Sequence, residues 1–203
     1  MSKSLRVVFM GTPAFAVPGL GSIIESQHEL VGVVTAPDRP AGRGKKLRLS
    51  AVKEAALEYN IPIFQPEKLS SDDTVAQLEA LEADVFVVVA FRMLPKVVWE
   101  LPQLGTFNLH ASLLPQYRGA APIHWSIING EQVSGLTTFL IDAKIDTGAI
   151  LLQKKLYILA DDTMGTLSER MQAQSGELII ATLNGLASGT LKPMPQQEAA
   201  AIN

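Results

Sequence analysis

Asp84 to Ala90 reads Asp-Val-Phe-Val-Val-Val-Ala. A short run this apolar and β-branched has no polar face, which suits a central parallel strand covered on both sides. Such a strand requires neighbours in its sheet and helices above and below it, so the pattern around it decides the fold. Leu5 to Met10 reads as a second buried strand, punctuated by Gly11-Thr12-Pro13 before a helical stretch in which Pro18 is tolerable only near the first turn. Strands are expected at Leu30 to Thr35 and Ile61 to Phe64, and helices at Ser50 to Tyr59, capped by Ser50, and at Thr74 to Leu81. Strands separated by helical segments predict an α/β chain with a doubly wound, mostly parallel sheet and helices on both faces. In such folds ligands sit beyond the carboxyl ends of the strands, so function is sought in the loops that follow them.

The second half continues with a strand at Gly105 to His110, a proline-rich loop, and a short helix near Ile123 to Ile128. A strand at Leu136 to Ile141, an extended stretch from Ala149 to Ile158 and a long helical pattern over Thr163 to Leu186 come next. Lys192 to Asn203 has two prolines and little apolar content, as a linker would, so one main domain over residues 1–189 and a linker over 190–203 are expected. With 203 residues, 47% of them hydrophobic, the chain can bury a core unaided. It has no cysteine, which excludes a disulfide framework and a thiol nucleophile, and His28, His110 and His124 lack the paired spacing of a metal site. No metal is expected. Neither a signal peptide nor an apolar run of about 18 residues is present, so a cytoplasmic protein without membrane association is expected. The net charge of −3 means that any nucleic-acid partner must be met by a local basic patch.

Phe107 to Pro122 is the most informative stretch. Strand alternation places Asn108 and His110 on one face, presenting a carboxamide and an imidazole together at a strand's carboxyl end. The loop Ile141-Asp142-Ala143-Lys144-Ile145-Asp146-Thr147-Gly148 offers carboxylates that can approach them. An Asn, His and Asp set suits acyl transfer to an amine: Asn108 and protonated His110 would donate to the oxyanion that develops, and Asp146 would help the amine lose its proton. The plainer readings stand beside this one. A lone strand histidine is usually a hydrogen-bonded structural residue, and Asp142 and Asp146 suit turn chemistry. Earlier in the chain, Asp38 to Arg48 carries five basic residues with two glycines and a proline. That composition fits an exposed loop facing phosphate oxygens, or simply a solvated charged loop.

Met10-Gly11-Thr12-Pro13, Asn108-Leu109-His110, Ser112 to Gly119 and Asp146-Thr147-Gly148 occur in this order along the chain. Together they resemble the folate-dependent formyltransferases, and among them the branch that acts on methionyl-tRNA, across nearly the whole sequence. The resemblance implies a Rossmann-like fold and an enzyme that takes the formyl group of 10-formyltetrahydrofolate. It places the family's catalytic residues on Asn108, His110 and Asp146. Ser112, Leu113, Leu114 and Pro115 would border the reduced folate, whose pteridine would enter a pocket lined by Val88 to Leu94, including Phe91 and Leu94, and by the loop starting at Asp142. The acceptor implied is the α-amine of initiator methionyl-tRNA, as translation initiation requires, with Arg43, Lys45 and Lys46 of the basic loop on the tRNA. Three residues depart from the pattern: Ala14 where an acidic residue is usual, Phe91-Arg92 for a common Tyr-Gly, and Lys144 where glycine is frequent. Family members continue into a smaller carboxyl-terminal β-barrel, and this chain stops in what reads as the connecting linker. The rival readings are transfer to a small amine, either an amino-sugar nucleotide or glycinamide ribonucleotide, and a noncatalytic folate- or RNA-binding module. A nicotinamide-dependent oxidoreductase fits poorly, because Gly11-Thr12-Pro13 is not a Gly-x-Gly-x-x-Gly turn.

Overall fold

The computed structural model describes residues 3–41 and 46–196, with main chain alone at 40, 41, 46 and 47. Two compact units divide the chain, one over residues 4–106 and the other from residue 107 onward.

The first unit opens with β1 (Arg6–Gly11), whose last five residues are all buried. A 3-10 turn at Ala14–Ala16 leads into α1 (Val17–Ile24), where Pro18 occupies the first turn and so gives up no helical hydrogen bond. Then come β2 (Glu29–Val34), β3 (Arg39–Ala41), β4 (Lys46–Arg48), α2 (Ala51–Glu58), β5 (Ile63–Phe64), α3 (Asp72–Glu79), β6 (Val85–Val89) and α4 (Lys96–Trp99). Serine caps explain where the helices start: the Ser50 hydroxyl accepts from Lys53 N at 3.0 Å and the Ser71 hydroxyl from Thr74 N at 3.3 Å. The strand order is β5-β2-β1-β6, and every pair in it is parallel. All five residues of β6 are buried, as its apolar run predicts.

After β1 the chain builds first to one side and then to the other, so the order reverses at the carboxyl ends of β1 and β6. Gly11 stands at that reversal. A Cβ there would lie 2.9 Å from the Ala16 Cβ and 3.0 Å from the Val89 carbonyl oxygen, so only glycine lets the turn close against β6. On the neighbouring strand Ala90 turns the chain sharply with φ 48°. The basic stretch read as a loop is instead an antiparallel pair, with Arg39 opposite Arg48 and Ala41 opposite Lys46. Its base is tied down by Asp38, which accepts from Lys53 and from Gln65 Nε2.

The second unit takes up β7 (Thr106–His110) from Phe107 and continues with α5 (Pro122–Ile128), β8 (Val133–Leu140), β9 (Ile150–Tyr157) and α6 (Met164–Ser188). β7, β8 and β9 pair antiparallel. The parallel pattern therefore stops at β6 in chain order, and residues 141–149 join β8 to β9 without a helix because an antiparallel pair needs no crossover. α6 begins in a capping box at Thr163 and ends at Gly189 with φ 66°. It buries Leu167, Met171, Leu178, Ile179 and Leu183 and packs on β8 and β9. Beyond it, Met194 forms an antiparallel bridge with Ile150, with both hydrogen bonds at 2.8 Å. Among the described residues no helix is long and apolar enough to cross a membrane.

Candidate active site

β7 ends on the two residues that the sequence singles out. Asn108 is half-buried and His110 is 7% exposed, both on one face of the strand. Antiparallel pairing sets Asn108 opposite Phe139 and His110 opposite Thr137, and the Phe139 ring meets the imidazole edge-on, with centroids 6.5 Å apart. His110 Nε2 lies 2.8 Å from the Tyr117 carbonyl oxygen. A carbonyl only accepts, so that nitrogen carries a proton. Nδ1 faces Asp146 Oδ2 at 3.6 Å, within ion-pair reach when the ring is charged. The same carboxylate oxygen accepts from Gly119 N at 2.8 Å. Asn108 differs from both: among the described residues its carboxamide has no hydrogen-bond partner, leaving a donor and an acceptor for something other than protein.

The two aspartates of the loop between β8 and β9 part company. Asp142 does turn work, accepting from Lys144 N at 3.0 Å and from the Thr147 hydroxyl at 2.8 and 3.0 Å. Asp146 reaches across to the β7 loop instead, with its backbone in the left-handed region at φ 53°. Gly148 makes this path possible, because a Cβ there would come within 1.7 Å of the Leu140 carbonyl oxygen.

The loop after His110 is held from within. Ser112 donates to the Gln116 carbonyl at 2.7 Å, and buried Thr137 donates to the Ser112 carbonyl at 2.7 Å while accepting from Leu114 N at 3.1 Å. The peptide bond between Leu114 and Pro115 is cis, and Leu114 packs with Phe139 and Ile150. Ser112 and Leu114 are thus turned into the fold, while Leu113 and Pro115 are half-buried. Tyr117, at φ 56°, is fixed by donating to Glu131 at 2.5 Å and accepting from Asn129 at 3.1 Å. The Glu131 carboxylate beside it pushes the phenol above its ordinary range, against a smaller opposing effect of Asn129.

An open cavity of about 570 Å³ is lined by Arg118, Asp142, Lys144, Thr147, Pro195 and Gln196, among others. Phe91 and Leu94 belong to the first unit, where both are half-buried just past β6. Arg92 turns its charge onto the Pro66 and Glu67 carbonyls and lies 5.6 Å from the Phe91 ring centre. Ala14 is exposed at the start of the 3-10 turn. Of the basic residues expected on RNA, Arg43 and Lys45 lie outside the described residues, and Lys46 is described only as main chain in β4. Sequence reasoning missed the supporting cast. Tyr117 and Gly119 belong to the Ser112 to Gly119 motif, whereas nothing in the sequence marks Thr137 or Gln196.

Comparison with known proteins bears on the whole arrangement. The chain is 48% identical over 200 residues to a methionyl-tRNA formyltransferase of Bacteroides thetaiotaomicron, covering 98% of this chain and 62% of that protein. It is 52% identical over 196 residues to the methionyl-tRNA formyltransferase of Flavobacterium johnsoniae, with 97% and 62% covered. It therefore spans less than two thirds of the length of these curated relatives. Among solved structures, a phosphoribosylglycinamide formyltransferase from Bacillus halodurans superimposes with TM-score 0.75 and 25% identity, over 90% of this chain and 95% of that one. A sugar 3N-formyl transferase, WlaRD, solved with dTDP and 5-N-formyl-THF, gives TM-score 0.70 and 24% identity, over 96% and 67%. These likenesses identify the Rossmann-like α/β fold. A family model described as formyl transferase matches residues 5–183, a span that takes in β1, β6, Asn108, His110 and Asp146, and so the chain belongs to the formyl transferase family.

Proposed function

We propose that this chain is the catalytic part of a cytoplasmic enzyme that moves the formyl group of 10-formyltetrahydrofolate onto the α-amine of initiator methionyl-tRNA. The observation that carries the reading is the Asn108 carboxamide, without a partner among the described residues, on the strand face it shares with His110, which is itself flanked by Asp146. In formyl transfer the amine attacks the formyl carbon, the new C–N bond forms, and the bond from that carbon to folate N10 breaks. Negative charge collects on the formyl oxygen in between. A preorganised donor at that oxygen accounts for roughly a hundredfold or more in rate, and Asn108 has one free. Protonated His110 adds positive charge beside it. Asp146 takes the proton that the attacking amine loses, directly or through water, and N10 gains one as it departs.

The folate lies against the loop from Ser112 to Pro115, with Leu113 and Pro115 as its apolar border and Ser112 and Leu114 bracing the loop from behind. The resemblance adds Phe91, Leu94 and Asp142 to the residues proposed for the folate. Arg43, Lys45 and Lys46 meet tRNA phosphates. A methionyl acceptor is favoured by relatives of that name at about half identity, such as that of Flavobacterium johnsoniae at 52%. The folds shared with phosphoribosylglycinamide formyltransferases keep a small amine as the second reading.

The test presents the purified chain and 10-formyltetrahydrofolate with methionyl-initiator tRNA, glycinamide ribonucleotide and an amino-sugar nucleotide in parallel. Formyl transfer to the tRNA alone, reduced at least about a hundredfold by His110→Ala, is the expected result. Transfer confined to a small amine would overturn the acceptor, and folate binding without transfer to any of the three would overturn the reaction.

A further inference from the structure

Gln196 lies past the last helix, in a stretch whose composition reads as linker, yet it is only 4% exposed. It is delivered there by its neighbours. Met194 is bridged to Ile150 through both of its main-chain hydrogen bonds, which seats the segment against the start of β9. From this seat the Gln196 amide bonds in two directions. Its Nε2 donates to the carbonyl oxygens of Asp146 at 2.7 Å and Gly148 at 2.9 Å, and its Oε1 accepts from Arg118 Nε at 2.8 Å and Nη2 at 2.5 Å.

Few side chains can replace it. Glutamate would still accept from Arg118 but has no N–H for the two carbonyls, and alanine would leave both without a partner. What the amide holds matters as much. Asp146 keeps its backbone in the left-handed region at φ 53°, a conformation that a non-glycine residue holds only with outside support. Its carboxylate is the group that accepts from Gly119 N and faces His110 Nδ1. Arg118 and Gly119 are adjacent in the chain. Gln196 and Asp146 therefore close a ring of hydrogen bonds between the loop after β7 and the loop before β9.

We infer that Gln196 is a positioning residue: held by Arg118, it grips the Asp146 main chain and so aims the Asp146 carboxylate at the His110 ring. This deepens the formyl-transfer reading and rests on it for the roles of His110 and Asp146. Among the described residues Gln196 bonds to Arg118, Asp146 and Gly148 and not to His110, so its effect on the imidazole passes through Asp146.

The test labels the histidine rings of the chain with 15N and compares the parent with Gln196→Ala, Gln196→Glu and Asp146→Asn. His28 and His124 serve as internal controls for folding, and Gln196→Glu keeps the side-chain volume should the alanine variant unfold. The expected result is that both Gln196 variants move the His110 ring resonances in the same direction as Asp146→Asn and leave the control rings in place. In formyl transfer, Gln196→Ala lowers kcat on the order of tenfold with KM for folate within about twofold. In the Asp146→Asn background it costs less than about a further twofold, as for two residues acting through one path. Unmoved His110 resonances in the Gln196 variants, or a full additional loss in the double variant, overturns the proposal. Failure of the parent to transfer formyl at all overturns the reaction instead, and the ring resonances still decide on Gln196.

Discussion

Asn108 and His110 share one face of one strand, but the protein treats them differently: the imidazole is bonded to Tyr117, whereas the Asn108 carboxamide has no hydrogen-bond partner among the described residues. Removing a side chain without a protein partner leaves no buried group stranded, so Asn108→Ala is expected to lower formyl transfer about a hundredfold while the unfolding temperature moves by a degree or two at most. Steady-state kinetics beside a thermal melt checks both halves. The pairing of Asn108 with His110 was legible because strand alternation needs only local sequence. The sequence likewise names Asp146 as the carboxylate that works with His110; spacing alone does not separate it from Asp142 in the same loop, because which of them gives turn support and which the cross-loop contact depends on tertiary path. His28 shows the other fate of a buried histidine, accepting from Leu5 N at 3.2 Å far along the sequence from His110.

Elements were legible where their signals are local. The buried run of β6, the Ser50 cap of α2 and the Thr163 start of α6 all sit within a residue or two of where hydrophobic pattern and capping chemistry place them. The β3–β4 pair was not legible, because strands of three residues rich in Arg and Lys lack an alternating apolar pattern. Strand direction was hidden as well, since apolar runs in β8 look alike whether the neighbour runs parallel or antiparallel. At the start of α6, Asp162 accepts from Leu159 N at 2.8 Å, from the Thr166 hydroxyl at 2.9 Å and from Arg170. The Leu159 amide chiefly, with Thr166 and Arg170 helping and burial opposing, holds its carboxyl below the usual carboxylate range. A lowered carboxyl contributes stability above its unfolded value, near pH 4, and loses it as pH falls through the folded value. Asp162→Asn is therefore expected to lower the melting temperature at pH 7, and the difference from the parent to shrink as the pH falls below the ordinary carboxylate range and through the folded value. Melts across that range check the sign.

Across the whole molecule the balance of charge is slightly negative, at −3, while five basic residues are gathered between Asp38 and Arg48. A tRNA held through that stretch releases counterions as it binds, so its affinity is expected to fall steeply with salt, and Arg43→Ala to reduce the slope of log K against log salt by about one. Titrations at several salt concentrations give the slope directly, and an unchanged slope would remove Arg43 from the contact. Left-handed backbone is the feature with the longest reach. Tyr117, Ala121 and Asp146 all carry φ values of 53° to 56°, in a part of the chain that also supplies the site. For Ala121, which is exposed, glycine is the more comfortable residue, whereas the same exchange at Asp146 would delete the carboxylate. A lineage drifting toward greater stability can thus relax the first position freely and never the other, so this fold's capacity to harden over evolutionary time is bounded by the chemistry it has to keep.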